Sequence, residues 1–192
     1  MKRISNRRIW HVTLVIRWSK DRTSPCATIV SSWIGIAPIV TGHGGDIAPA
    51  FDGIQRAIDA NRRLGRTHEV ADWLETLPMF YRAVGDFSNA RTTARESLKL
   101  WYDLGTLGRL PLGLKMLAAA ELGAGEPERA VRLGAAAERF NDEIGGEVPD
   151  IIAQLGVPVE EARSLLEPAD HARAVAEGRS MRLEELIAYA LE

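Results

Sequence analysis

GDFSNARTTARESLKLWYDLG, residues 85–105, decides the fold, because the chain carries this pattern three times at a spacing of forty residues. GDIAPAFDGIQRAIDANRRLG begins at Gly45 and GEPERAVRLGAAAERFNDEIG at Gly125. Each copy opens with Gly and an acid and places Ala five residues later, at Ala50, Ala90 and Ala130. Each closes on Gly twenty residues after the first, at Gly65, Gly105 and Gly145. A period in this range marks supersecondary units that bury their apolar faces against their neighbours.

Within each copy the apolar residues recur at steps of three and four. Phe87, Ala90, Ala94, Leu98, Trp101 and Leu104 form one stripe, and Ile47, Phe51, Ile54, Ile58 and Leu64, or Val131, Leu133, Ala137, Phe140 and Ile144, form its counterparts. This is the signature of an amphipathic helix, and the closing glycine suits the left-handed residue beyond a helix C-terminus. The intervening stretches also align, Leu74 and Leu77 answering Leu114 and Leu117. Residues 69–83 and 110–123 are therefore expected to be the other helix of each pair. Gly85 with Asp86, and Gly125 with Glu126, supply the tight turn and a negative charge that favours the next helix start. The small Ala near that turn lets two antiparallel helices approach closely. Phe80, Tyr81, Phe87, Trp101 and Phe140 read as core wedges rather than ligand platforms.

The expected fold is all-α: a right-handed solenoid of helical hairpins over residues 31–146, capped by helices over 147–192. Downstream helices are expected over 148–166, entered at Pro158, over ADHARAVAEG with a stop at Gly178, and over LEELIAYALE with Leu183, Leu186, Ile187 and Ala190 on one face. A repeat array needs such a terminal lid. Upstream, Trp33, Ile34 and Ala37 fall one period before Trp73, Leu74 and Leu77, so 31–42 is the expected first helix of the array. Residues 1–30 match nothing in the repeat. They form a basic arm with seven Lys or Arg against one Asp, and IWHVTLVIRW has the β-branched and aromatic content of a strand.

The hairpin pattern resembles the tetratricopeptide repeat, lengthened to forty residues. Together with the ending AEGRSMRLEELIAYALE, it is similar to the C-terminal region of large bacterial regulators that couple a signalling ATPase to helical repeats and to a LuxR-type helix-turn-helix or an adenylate cyclase domain. The resemblance covers about residues 45–192 and implies a protein-binding role in signalling or transcription control. The chain departs from that family at Arg182, where a Ser usually caps the last helix, so Ser180 is the alternative cap. It also lacks GxxxxGK[ST], and with it the phosphate cradle of the ATPase.

Composition narrows the remaining classes. Of 192 residues 46% are hydrophobic and 26% charged, so a packed core is expected. The net charge is -2, and the chain beyond residue 30 carries seventeen basic against twenty-five acidic residues, which disfavours phosphate binding by the repeats. Cys26 is the only cysteine, which excludes an internal disulfide and fits a reducing, cytoplasmic compartment. The uncharged run 23–45 is diluted by Ser, Gly, Pro and Thr, so a membrane span is disfavoured.

His43-Gly44-Gly45 resembles an esterase oxyanion loop, but no GxSxG nucleophile accompanies it. His11, His43, His68 and His171 are scattered, and no cofactor or metal site is expected. No catalytic residue is assigned, and the chain is expected to be non-enzymatic. Its expected partner is a protein segment or another domain of a regulator, held in a groove for which Asp72, Glu75, Met79, Arg82, Lys115 and Glu121 are the outward-facing candidates. Three alternatives remain. One is a nucleic-acid-associated regulator using the basic arm, another is a membrane-tethered adaptor using residues 23–45, and the third is a nonfunctional fragment of a larger regulator gene that self-associates through its first repeat.

Overall fold

A computed structural model describes residues 48–144 and 161–192. Among the described residues seven α-helices can be followed from end to end: α1 Ala48–Arg63, α2 Thr67–Ala83, α3 Phe87–Asp103, α4 Leu110–Gly123, α5 Pro127–Ile144, α6 Pro168–Ser180 and α7 Leu183–Leu191, with a 3₁₀ turn at Leu107–Arg109 before α4. Among the described residues there is no strand. The basic arm, the strand-like segment, the expected helix at 31–42, Gly45, Gly145 and the helix entry at Pro158 lie outside the described residues, as does the side chain of Ala50.

The turns are more alike than the forty-residue register implies. Gly65, Gly85, Gly105 and Gly125 all have positive φ, between 66° and 86°. After each glycine the next backbone N–H reaches back five residues, Arg66 to Asn61, Thr106 to Trp101 and Glu126 to Glu121 at 3.0 Å, and Asp86 to Tyr81 at 2.8 Å. This is the Schellman closure, which satisfies carbonyls left open at a helix end. Every helix from α1 to α4 therefore stops in the same way, at twenty-residue intervals. Helix starts are less uniform. Asp86 accepts from the Asn89 backbone N–H at 3.1 Å as an N-cap, whereas Pro127 opens α5 at a position that needs no donor.

Successive helices pack as neighbours from α2 to α6, α2 also touches α4, and α7 lies against both α3 and α5. Ala90 and Ala130 are fully buried. So are Leu98, Leu114, Leu117 and Leu133, which with Trp101, Phe140, Leu186, Ile187 and Ala190 make one continuous core. Of the expected wedges, Phe80, Trp101 and Phe140 are buried, while Tyr81 and Phe87 are half-buried. Residues forty apart also make matching contacts. Phe51 on α1 packs on Tyr81 of α2 with ring centroids 4.9 Å apart, and Arg91 on α3 donates to Glu121 of α4 at 3.2 Å.

Three expectations near the C-terminus are corrected. The helix expected over 148–166 does not reach its expected end, since residues 163–166 form a turn and bend before α6. Gly178 does not stop its helix; α6 runs through it to Ser180. A Cβ there would lie 2.2 Å from the Arg132 carbonyl oxygen, so the glycine lets α6 press onto the backbone of α5. Ser180 does not cap the last helix either, because its hydroxyl donates to the Glu177 carbonyl behind it. Arg182 occupies the N-cap position of α7 and contributes no side-chain cap.

Candidate functional site

On α2, Asp72 and Glu75 stand one turn apart, and Arg109 of the 3₁₀ turn reaches both, at 2.6 and 2.5 Å. The same guanidinium sits 4.9 Å from the centre of the Trp101 ring on α3, whose other neighbour is the His68 ring at 5.7 Å. One arginine thus ties the first helix of one hairpin to the entry of the next. It neutralises only one of the two acids.

Glu75 is 6% exposed, and its Oε1 makes no hydrogen bond. The Trp101 Nε1 is buried in the same neighbourhood, also without a hydrogen bond of good geometry. Burial pushes the Glu75 carboxyl up to about 7; Arg109 opposes that rise, Asp72 adds to it, and the indole opposes it least. Asp72 remains exposed at the surface, its carboxyl raised by partial desolvation against the pull of Arg109. Glu75 is therefore a buried acid shifted toward its neutral form, with one oxygen left without a hydrogen-bond partner. A carboxyl of this kind is also able to donate or accept a hydrogen bond from a visiting group.

The six expected groove residues do not all face outward. Asp72 does, and Met79, Arg82 and Lys115 are half-exposed. Burial lowers the Arg82 pKa from its ordinary value, and the charge of Glu161 opposes that change. Glu75 and Glu121 are corrections, because both lie inside. Glu121, with no exposure, receives Arg95 at 2.8 Å and Arg129 at 3.2 Å on Oε1, and Arg91 at 3.2 Å on Oε2. Burial is tolerated because both oxygens are bonded and the charge is compensated.

Arg95, Arg109 and Arg129 were not expected to take part in any site. For the cluster around Glu121 the repeat holds part of the missing signal: a shift of forty residues carries Tyr81, read as core, onto Glu121, and Phe51 onto Arg91. Among the described residues no three His, Cys, Asp or Glu are arranged to hold a metal ion, and no helix is long and apolar enough to cross a membrane. Comparison with family models, curated proteins and solved structures gives no match.

Proposed function

We propose that the chain is a non-catalytic, tetratricopeptide-like repeat scaffold that binds a protein segment along the face shared by α2 and α4. The supporting observation is the contact of α2 with α4 across successive hairpins that end in the same glycine turn. Helix pairs repeated in this way present an extended surface on which a peptide or helix can lie. Asp72, Met79 and Lys115 supply charge of both signs and an adaptable apolar contact there, and Glu75 with Arg109 sets the polar edge. The resemblance to regulator C-termini makes signalling or transcription control in the bacterial cytoplasm the proposed setting, with another part of such a regulator as the partner class.

A peptide-display library panned against the full chain tests this reading. Enriched peptides are expected to lose at least tenfold in affinity with Asp72→Lys or Lys115→Glu and to keep it with Arg63→Glu on α1. Peptides indifferent to both groove substitutions, or no enrichment at all, would overturn it.

A further inference from the structure

The last helix is bound in the way a ligand helix is bound. Leu186, Ile187 and Ala190 of α7 enter the core between α3 and α5, beside Ala94, Leu98, Leu133 and Ala137. Its C-terminal turn is gripped at the backbone: Arg95 Nε donates to the Ala190 carbonyl at 3.2 Å and Arg129 Nη2 to the Tyr189 carbonyl at 2.6 Å. The Arg129 guanidinium also covers the Tyr189 ring at 4.4 Å. These carbonyls are the ones a helix end leaves open, and they carry the negative end of its dipole. Around Glu121 three arginines face one carboxylate, so the site keeps a positive surplus aimed at that end. Burial lowers the Arg95 pKa, Glu121 opposes the change, and the charges of Arg129 and Arg91 add to it.

The helix that fills this groove is tied to its own chain by a short link, held where Arg139 of α5 donates to the Met181 carbonyl at 2.5 Å. It has nine residues, no side-chain cap at its start, and a two-residue extended joint, Met181–Arg182, to α6. Vacating the groove leaves α2 to α5 joined by their own contacts and leaves Glu121 with all three arginines.

We propose that the α3/α5 groove is a receptor for the C-terminal turn of an amphipathic helix, occupied at rest by α7. A partner helix bearing the same Leu-x-x-Leu-Ile-x-x-Ala spacing displaces α7. The proposal rests on the reading of the chain as a protein-binding scaffold and names a second class of partner for it. Side-chain spacing selects the partner through the apolar groove, and the two arginines fix its direction by taking its last carbonyls.

The test uses a fluorescent peptide spanning residues 181–192 and the full chain. In the wild type the resident helix blocks the groove; in Leu186→Glu it is released, and the peptide is expected to bind at least tenfold tighter. Adding Arg95→Met and Arg129→Met is expected to remove at least tenfold of that gain. A Leu186→Glu chain that keeps its helical circular dichroism and binds no tighter than wild type overturns the proposal. Should Leu186→Glu fail to fold, hydrogen exchange on the wild type decides: Ile187 to Leu191 exchanging at least tenfold faster than the buried part of α3 supports a resident ligand, and equal rates overturn it. Library peptides that bind through Asp72 while the 181–192 peptide does not would sink this inference and leave the scaffold reading in place.

Discussion

Two successive junctions between hairpins solve the same contact with opposite chemistry. In the first, Phe51 and Tyr81 meet as tilted rings; forty residues on, Arg91 and Glu121 meet as an ion pair. The backbone frame is unchanged, since Tyr81 and Glu121 both accept the returning N–H of a glycine turn through their carbonyls. What changes is what the position recruits. The aromatic pair recruits another ring, Phe80, which meets Phe51 edge-on at 5.6 Å, whereas the buried carboxylate draws in Arg95 and Arg129, and their remaining donors reach the end of α7. A second contrast lies between the two buried acids. Glu121 has three arginines and both oxygens bonded; Glu75 shares one arginine with Asp72 and leaves an oxygen open. The number of cations facing each acid separates a structural node from a poised group.

The largest effect is expected where compensation is most complete. Glu121→Ala leaves three guanidiniums facing one another with no carboxylate, and should cost about 3–5 kcal/mol, the range for breaking a buried ion pair. Urea unfolding of the variant measures it, and a loss under about 1 kcal/mol would show the node to be solvated rather than structural.

Glu75 should behave in the opposite sense. Its folded value of about 7 lies above its ordinary 4.5, so the folded chain holds that proton more tightly than the unfolded one. Its contribution is fully present below pH 4.5, is lost as pH rises through 7, and is constant beyond. Glu75→Gln imitates the neutral form. It is expected to remove that slope and to stabilise the chain at pH 8 by about 1–3 kcal/mol, read from urea midpoints between pH 4 and 8. An unchanged slope in the variant would contradict the assignment.

The smallest effect sharpens the comparison between hairpins. Tyr81→Glu places an acid against the Phe51 ring, and adding Phe51→Arg recreates the pair of the next junction. A double-mutant cycle should return a favourable coupling of about 0.5–2 kcal/mol, as neighbours in contact do. No coupling would mean that the forty-residue equivalence ends at the backbone.

How much of this was legible followed the range of the interaction concerned. Glycine turns and amphipathic stripes are local, so α1 to α5 and the buried face of α7 could be read from spacing alone. Gly178 was misread because a helix stop and a close approach of two helices both call for glycine, and only the Arg132 carbonyl tells them apart. Glu121 was misread because a charge on a helix is ordinarily solvated, and its three cations come from two other helices. Arg109 stayed hidden for a similar reason: it lies thirty-four residues from Glu75, in a turn rather than in a stripe.

The contrast between the two acids is tested most directly at Glu75 itself. Carbon-detected NMR of its side-chain carboxyl in the full chain, titrated from pH 3 to 9, is predicted to show a midpoint near 7. A midpoint near the ordinary 4.5 would mean that one shared arginine and an open oxygen suffice to hold the charge, and the distinction drawn between the two buried acids would not stand.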